Sequence, residues 1–244
     1  MTNEQNGIKL ADATATGPVI EPWKRALDLA LIVLAIPVLV PLMAGIALMI
    51  RFVSRGPILF RQERVGYRGR RFMCFKFRTM NAGSETTSHQ NHISQLMSSN
   101  KPLEKMDSQG DPRIIRGGIL LRASGLDELP QIINIIRGDM SMVGPRPCVP
   151  YEYEIYQGWQ LERFSTVPGL TGLWQVSGKN KTTFDQMVKF DIEYSRKKSL
   201  WFDIKIIFKT IPTAFMLMLE SRKRKKSAAR AATPLATGRT IEQQ

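Results

Sequence analysis

The sequence predicts an α/β (α+β) fold in which a long, proline-broken apolar helix precedes a small mixed domain with a β-hairpin. Three observations predict it: an apolar run at 26–50, an alternating stretch around a basic glycine turn at 58–78, and helical periodicity within 122–147. We expect four parts: a disordered N-terminus at 1–21, the apolar helix at 22–52, a domain at 53–220 with a flexible loop at 81–110, and a basic disordered tail at 221–244.

Composition narrows the classes of function. Lys and Arg number 35 against 21 Asp and Glu, giving +14, so we expect anionic partners such as ligand phosphates, lipid headgroups or nucleic acid. The two cysteines, Cys74 and Cys148, form no disulfide framework and indicate a reducing compartment. Both histidines, His89 and His92, fall in the polar loop, which argues against a histidine-based triad or a histidine-rich metal site.

The apolar run Ala26–Ile50 is long enough to meet a bilayer. A straight helix of this length reaches about 37 Å, against roughly 30 Å of bilayer hydrocarbon. Pro37 and Pro41 each remove a backbone hydrogen bond and predict a kink. Cations flank both ends, which fits a helix that enters and returns to one face, but a plain kinked span is equally compatible. A signal peptide is disfavoured because the run is too long and starts too late.

The segment after the apolar helix predicts a β-hairpin. A short apolar run at Ile58–Phe60 and an alternating stretch at Phe72–Arg78 flank a basic, glycine-containing turn. The second strand would carry Lys76 and Arg78 on a cationic face. That face contacts phosphate, or it is a solvated surface beside an anionic membrane; charge alone does not decide.

The stretch at 122–147 holds the candidate site. Pro130 tolerates only a first helical turn, so the helix should begin at about Glu128 to Leu129 and place Asp127 and Glu128 at its N-terminus, where the dipole favours anionic groups. It should end at Gly138. The predicted buried stripe is Leu126, Leu129, Ile132, Ile133 and Ile136. Helix capping is the simpler explanation of an isolated acidic pair. Here Asp139 follows at the far end of the helix, where a carboxylate opposes the dipole, and this favours a functional site.

Arg146 stands between two prolines in the sequence VGPRP. A stiff backbone suits a guanidinium that presents a bidentate fork to an anion, although an ordinary rigid turn has the same composition.

The C-terminal part is expected to be mainly helical. We predict helices at 150–165 and 183–198, a short strand at Leu173–Val176, and an amphipathic interfacial helix at 199–219. Trp174 most commonly belongs to a core. The basic run at 222–226 binds a membrane or nucleic acid, and its place after an apolar helix favours the membrane.

Several motifs, in order, resemble the small monotopic phosphoglycosyl transferases. These are bacterial sugar transferases that begin exopolysaccharide, O-antigen and glycan assembly on undecaprenyl phosphate. The similar region covers about residues 22–215 and includes GPILFRQERVG, FKFRTM, LDELPQ, GDMSMVGPRP, VPGLTGLWQVSGKN and SLWFDIKIIFKT. Within this family, the sequence is most similar to the exopolysaccharide-initiating galactosyl- and glucosyl-phosphate transferases of rhizobia and their relatives.

The resemblance implies a re-entrant membrane helix and a catalytic domain on the cytoplasmic face of the inner membrane. It implies that Asp127 attacks the β-phosphate of a UDP-sugar and releases UMP, and that Glu128 is its partner in holding Mg²⁺ or managing a proton. Asp127 and Glu128 are thus the implied metal ligands, and Arg146 the implied phosphate-binding arginine. Further implied substrate-binding positions are Lys76, Arg78, Arg122, Lys179 and Asp203, the last with no derived role.

Two positions depart from the family pattern. Ile36 stands where the family often has a serine before the proline, which removes a hydroxyl that would satisfy a freed carbonyl. Lys179 stands in VSGKN where the family has arginine, which matters if a bidentate fork is needed there.

The expected partners are therefore a UDP-sugar (UDP-galactose or UDP-glucose), undecaprenyl phosphate and membrane lipid, with Mg²⁺ as cofactor and no nucleic acid. A homo-oligomer is left open. The competing hypotheses are a membrane-tethered basic module that binds nucleic acid, and a non-catalytic scaffold.

Overall fold

The computed structural model describes residues 17–81, 113–178 and 182–231. Most of the predicted loop at 81–110, Lys179 and both chain ends lie outside this part. The α-helices are α1 Pro22–Val53, α2 Gly118–Ser124, α3 Ile132–Arg137, α4 Pro150–Tyr153, α5 Leu173–Val176, α6 Phe184–Lys197 and α7 Leu200–Ala231. The strands are β1 Leu59–Val65, β2 Arg71–Phe77, β3 Ser141–Val143 and β4 Gly169–Thr171. Short 3₁₀ helices lie at Tyr67–Gly69, Leu126–Gln131 and Gly158–Ser165. The predicted α/β (α+β) class is confirmed.

Helix α1 is the predicted apolar helix, with Pro37 and Pro41 inside it. It is the one helix of the described chain that is long and apolar enough to cross a membrane. Its two ends are buried against the domain, whereas its middle is exposed, with Leu34 at 79%. An exposed apolar surface of this kind is typical of a segment that contacts a membrane or a partner protein.

The predicted hairpin is confirmed. Strands β1 and β2 pair antiparallel, with Leu59 opposite Phe77 and Val65 opposite Arg71. Directly paired residues share a face of the sheet. One face therefore carries Gln62, Arg64, Cys74 and Lys76, and the other carries Arg61 and Phe75.

The predicted central helix begins as the 3₁₀ helix Leu126–Gln131, continues as α3 and ends at Gly138 with φ 82°. We call the 3₁₀ helix the dyad turn. The predicted buried stripe is wrong at its C-terminal end: Ile136 is 51% exposed and Ile135 is 0% exposed. The 3₁₀ start is wound more tightly than an α-helix, so the face that points inward in α3 is rotated from the one that a continuous 3.6-residue period predicts.

Asn134 belongs to the true buried face of α3. Its side chain accepts a hydrogen bond from the Phe75 N–H (3.1 Å) and donates one to the Met73 carbonyl (2.7 Å). These bonds complete the open edge of β2 and join the hairpin to α3.

The C-terminal predictions are only partly correct. Leu173–Val176 is a short helix, and the strand lies just before it at Gly169–Thr171. The reason is that β4 pairs in parallel with the distant β3, which local sequence does not reveal. The predicted helix at 150–165 is two short pieces, whereas the predicted helix at 183–198 is found as α6. Helix α7 continues to Ala231, so the predicted disordered tail is helical over 221–231.

The hydrophobic core is arranged around the hairpin and α6. The buried ring of Trp174 packs with Phe184 and Val188, as expected for a core tryptophan. Gly144, just after β3, allows a close approach to the backbone that precedes β4: a Cβ there would lie 2.4 Å from the Val167 carbonyl oxygen. The segment Gly144–Val149 therefore leaves β3 on a tightly packed path, and we call it the arginine loop.

Candidate active site

The acidic pair lies where the sequence predicts it. Gly125, in the left-handed region with φ 75°, precedes the dyad turn, and Asp127 and Glu128 occupy its first turn. Both side chains are partly exposed. The Lys76 ammonium lies 2.7 Å from Glu128 Oε1, so the hairpin and the dyad turn meet at an ion pair. This contact brings together three of the predicted site residues.

The arginine loop presents Arg146 with its backbone held at four successive residues. Arg163 donates to the Arg146 carbonyl (2.8 Å), and Arg64 donates to the Pro147 carbonyl (3.1 Å). The Val65 N–H donates to the Cys148 carbonyl, and Glu152 accepts from the Val149 N–H (3.2 Å). The Arg146 side chain itself stays 32% exposed and lies 3.9 Å from Glu152. Its guanidinium is therefore fixed at its base and open at its tip, as an anion-binding group requires.

The hairpin joins these two parts of the site. Burial raises the pKa of the Cys74 thiol, while the charges of Lys76, Arg64, Glu128 and Arg146 also act on this thiol. Lys76 and Arg64 lie on the same face of the hairpin. Lys76 contacts Glu128 of the dyad turn, and Arg64 donates to the Pro147 carbonyl of the arginine loop, so this face connects the two parts of the site.

Two of the predicted substrate-binding residues, Arg78 and Asp203, have buried contacts with α1 or the segment that follows it. Arg78 is buried and donates to the Arg55 carbonyl (2.7 Å) and the Ser54 carbonyl (2.8 Å), where α1 ends. Asp203 is 1% exposed and lies 2.5 Å from the Lys24 ammonium, with Tyr194 bonded to both. Arg78 and Asp203 therefore fasten α1 to the domain, one at each end.

Arg122 and Lys179 complete the predicted set. Arg122 lies in the last turn of α2, just before Gly125 and the dyad turn, and is partly exposed. Lys179 lies outside the described residues.

Sequence reasoning missed Arg64. It is buried on the same hairpin face as Lys76 and contacts the arginine loop directly. The signal was present in RQERVG, where Gln62 and Arg64 alternate toward one face, but the direction of that face depends on pairing with β2.

The acidic side chains of the candidate site supply only part of the ligands that a hard divalent cation such as Mg²⁺ needs. No group of three or more His, Cys, Asp or Glu side chains that could hold a metal occurs in the described ranges. Asp127 and Glu128 supply adjacent, partly exposed carboxylates, and Mg²⁺ is commonly bound by one or two carboxylates together with substrate phosphates and water. The two residues fit Mg²⁺ that arrives with a phosphorylated substrate.

The chain thus combines an apolar helix docked on a small α+β domain with an acidic pair at a helix start and an arginine that is held at its base and open at its tip. The chain belongs to the bacterial sugar transferases: the family model matches residues 19–217. It is an enzyme of the phosphoglycosyl transferase type, which confirms the predicted family and enzyme class.

The chain is similar over most of its length to the exopolysaccharide production protein ExoY of Sinorhizobium fredii. The two are 40% identical over 189 residues, which cover 78% of this chain and 84% of the relative. It is 37% identical over 225 residues to the UDP-glucose:undecaprenyl-phosphate glucose-1-phosphate transferase of Escherichia coli, covering 87% of this chain and 45% of the relative. It is also 41% identical over 161 residues to the undecaprenyl-phosphate galactose phosphotransferase of Salmonella typhimurium, covering 64% and 33% respectively.

Proposed function

We propose that the protein transfers hexose 1-phosphate from a UDP-sugar to undecaprenyl phosphate, releasing UMP, as the first membrane step of exopolysaccharide synthesis. The names of its relatives support the substrate classes, with glucose and galactose both represented. The observation that carries the proposal is the hairpin face on which Lys76 contacts Glu128 of the dyad turn and Arg64 contacts the arginine loop.

Asp127 is the proposed nucleophile. Its carboxylate oxygen attacks the β-phosphorus of the UDP-sugar, the bond from that phosphorus to the bridging oxygen breaks, and UMP leaves with the bridging oxygen. A phosphate oxygen of undecaprenyl phosphate then attacks the same phosphorus and displaces Asp127. Two sequential steps let the two anionic substrates use the site in turn.

The cations around the dyad neutralise the charge of this reaction. Arg146 presents its fork to the phosphate oxygens, and Lys76 is placed to balance Glu128 or the diphosphate. Mg²⁺ held by Asp127 and Glu128 would screen the diphosphate and stabilise the charge that develops on the leaving UMP.

We further propose that α1 is re-entrant. At its N-terminal end, Arg25 donates to the carbonyls of Ile135 (2.5 Å) and Ile136 (2.6 Å). At its C-terminal end, Ile46 and Ile50 pack in one cluster with Phe77 of the hairpin. Both ends therefore rest on one small domain, which a helix with its ends on opposite sides of a bilayer would not allow. The exposed centre enters one leaflet, and the domain stays on the cytoplasmic face.

Cysteine labelling in oriented vesicles tests this topology. Val19→Cys and Arg55→Cys place exposed thiols before and after α1, while the native cysteines are buried. With a membrane-impermeant maleimide, both positions should react from the cytoplasmic side only. Reaction of the two positions from opposite sides would establish a spanning helix.

The covalent mechanism is tested without an acceptor. Purified protein is given Mg²⁺ and a panel of UDP-sugars, and intact mass and UMP are recorded. We expect a sugar-phosphate adduct on Asp127 and one UMP per active enzyme, which would also identify the sugar. UMP that appears only after undecaprenyl phosphate is added would indicate direct transfer.

Asp127→Asn should abolish adduct formation and turnover while membrane binding persists. Asp185→Asn is the matched control, because Asp185 is exposed in the first turn of α6 and carries the same chemical change. An Asp127→Asn variant with the wild-type rate would contradict the assignment of the nucleophile.

A further inference from the structure

Arg64 has an unusual position for a charged residue. It is 7% exposed, and its guanidinium donates to the Pro147 carbonyl (3.1 Å) and to Gln62 Oε1 (2.6 Å). Its Nε is buried without a hydrogen-bond partner among the described residues. Both acceptors are neutral, so these bonds do not cancel the charge.

The charge of Arg64 lacks a carboxylate of its own. None of the ion pairs of the described residues includes Arg64. Among the charges that raise its pKa, that of Glu152 is the largest. Glu152 already lies beside Arg146 and accepts the Val149 N–H. Arg64 donates to the carbonyl of Pro147, the residue that follows Arg146, so the two arginines lie on either side of the same loop segment. Burial lowers the pKa of Arg64, and the charge of Arg146 lowers it further.

Arg163 provides an internal comparison. It holds the neighbouring carbonyl, that of Arg146, from an equally buried position, but its charge is balanced by Asp191 at 2.5 Å. One arginine beneath the loop is therefore a neutralised support, and the other keeps its charge. A buried cation without a counterion is costly, and an anion bound at Arg146 would offset that cost.

We propose that Arg64 is a positioning residue for phosphate binding: it fixes the Pro147 carbonyl behind Arg146 and adds a buried, uncompensated positive charge to the anion site. The ligand class is the diphosphate of the sugar nucleotide, so this inference rests on the proposed function. Arg64 does not touch the reacting atoms. It acts by holding the arginine loop in place and through the electrostatic field of its positive charge.

Binding of inorganic pyrophosphate and of UMP tests this role without turnover. Dissociation constants are measured by calorimetry for the wild type and for Arg64→Gln, Arg64→Lys and Arg61→Gln. Arg61→Gln is the matched control, because Arg61 is on the opposite face of the same strand, over the ring of Phe75. It removes the same formal charge from the same element.

We expect Arg64→Gln to weaken both ligands at least about tenfold, with a matching rise in KM for the donor, because a nearby desolvated charge is poorly screened. Arg61→Gln should change them less than about twofold, because solvent screens exposed charges. Arg64→Lys should bind both ligands more tightly than Arg64→Gln does, because it restores the positive charge. Its single ammonium does not reproduce the two hydrogen bonds that the guanidinium donates to Pro147 and Gln62.

A purely structural role gives a different result. If Arg64→Gln lowers the folded fraction while the folded protein binds both ligands as the wild type does, the proposal is overturned. Equal losses in Arg64→Lys and Arg64→Gln would overturn the charge contribution. A wild type that binds neither ligand would refute the anion site itself, and with it the proposed function.

Discussion

The Lys24–Asp203 pair should be a major determinant of stability. The pair is almost fully buried, with 2.5 Å between Lys24 Nζ and Asp203 Oδ2, and the Tyr194 hydroxyl bonds to both. Lys24→Met leaves the Asp203 carboxylate buried with only the tyrosine as a donor. Breaking a buried pair in this way costs about 3–5 kcal/mol. For a chain of this size, each kcal/mol lowers Tm by about 2–4 °C, so a fall of at least about 6 °C is expected.

The measurement is thermal and urea unfolding of the detergent-solubilised protein. Lys197→Met is the control, because Lys197 forms an exposed pair with Glu193, and such pairs contribute about 0.3–0.5 kcal/mol. The double variant Lys24→Met/Asp203→Leu should recover at least about 1 kcal/mol of the loss, since no unpaired charge remains. If Lys24→Met behaves like the control, the buried pair does not hold α1 on the domain.

Three further predictions follow from packing and burial. Gly144→Ala should lower stability by about 1–3 kcal/mol and reduce activity, because its Cβ would meet backbone at 2.4 Å; unfolding and turnover are measured together. Asn134→Ala should cost about 1–3 kcal/mol for each β2 edge group left unsatisfied, as read from urea unfolding. Cys74 and Cys148 should resist iodoacetamide at about pH 8 in the native protein and react fully in denaturant, because burial raises the pKa of both thiols, that of Cys148 to about 12.

Features fixed by neighbouring residues were predictable from the sequence. Gly125 and Gly138 flank the dyad turn and α3, and the acidic pair lies in the first turn, near the helix start as predicted. The predicted start at about Glu128 to Leu129 is two to three residues late, because Pro130 lies inside the 3₁₀ helix. The alternating residues around a glycine turn predicted the hairpin. The length and apolar composition of the run at 26–50 predicted α1. These signals act within a few residues, which is the range over which sequence patterns are informative.

Features that depend on distant pairing were not predictable. The strand at Gly169–Thr171 exists because it pairs with Ser141–Val143, and its neighbour Leu173–Val176 was assigned the wrong structure. Arg78 was expected at a phosphate because its strand face is cationic, but the end of α1 lies over its guanidinium. The sequence alone does not show whether a cationic side chain contacts a ligand or a backbone carbonyl. Only the tertiary fold distinguishes the two.

The fastening of α1 also has a consequence for biosynthesis. Lys24 and Asp203 are separated by 179 positions in the chain. At about 5–20 residues per second, a ribosome needs roughly 10–35 s to make that distance. During this interval the first helix has emerged, but the partner of its lysine does not yet exist. The buried ion pair that fastens α1 can therefore form only after synthesis has passed Asp203, so the first helix is made long before it can dock on the domain.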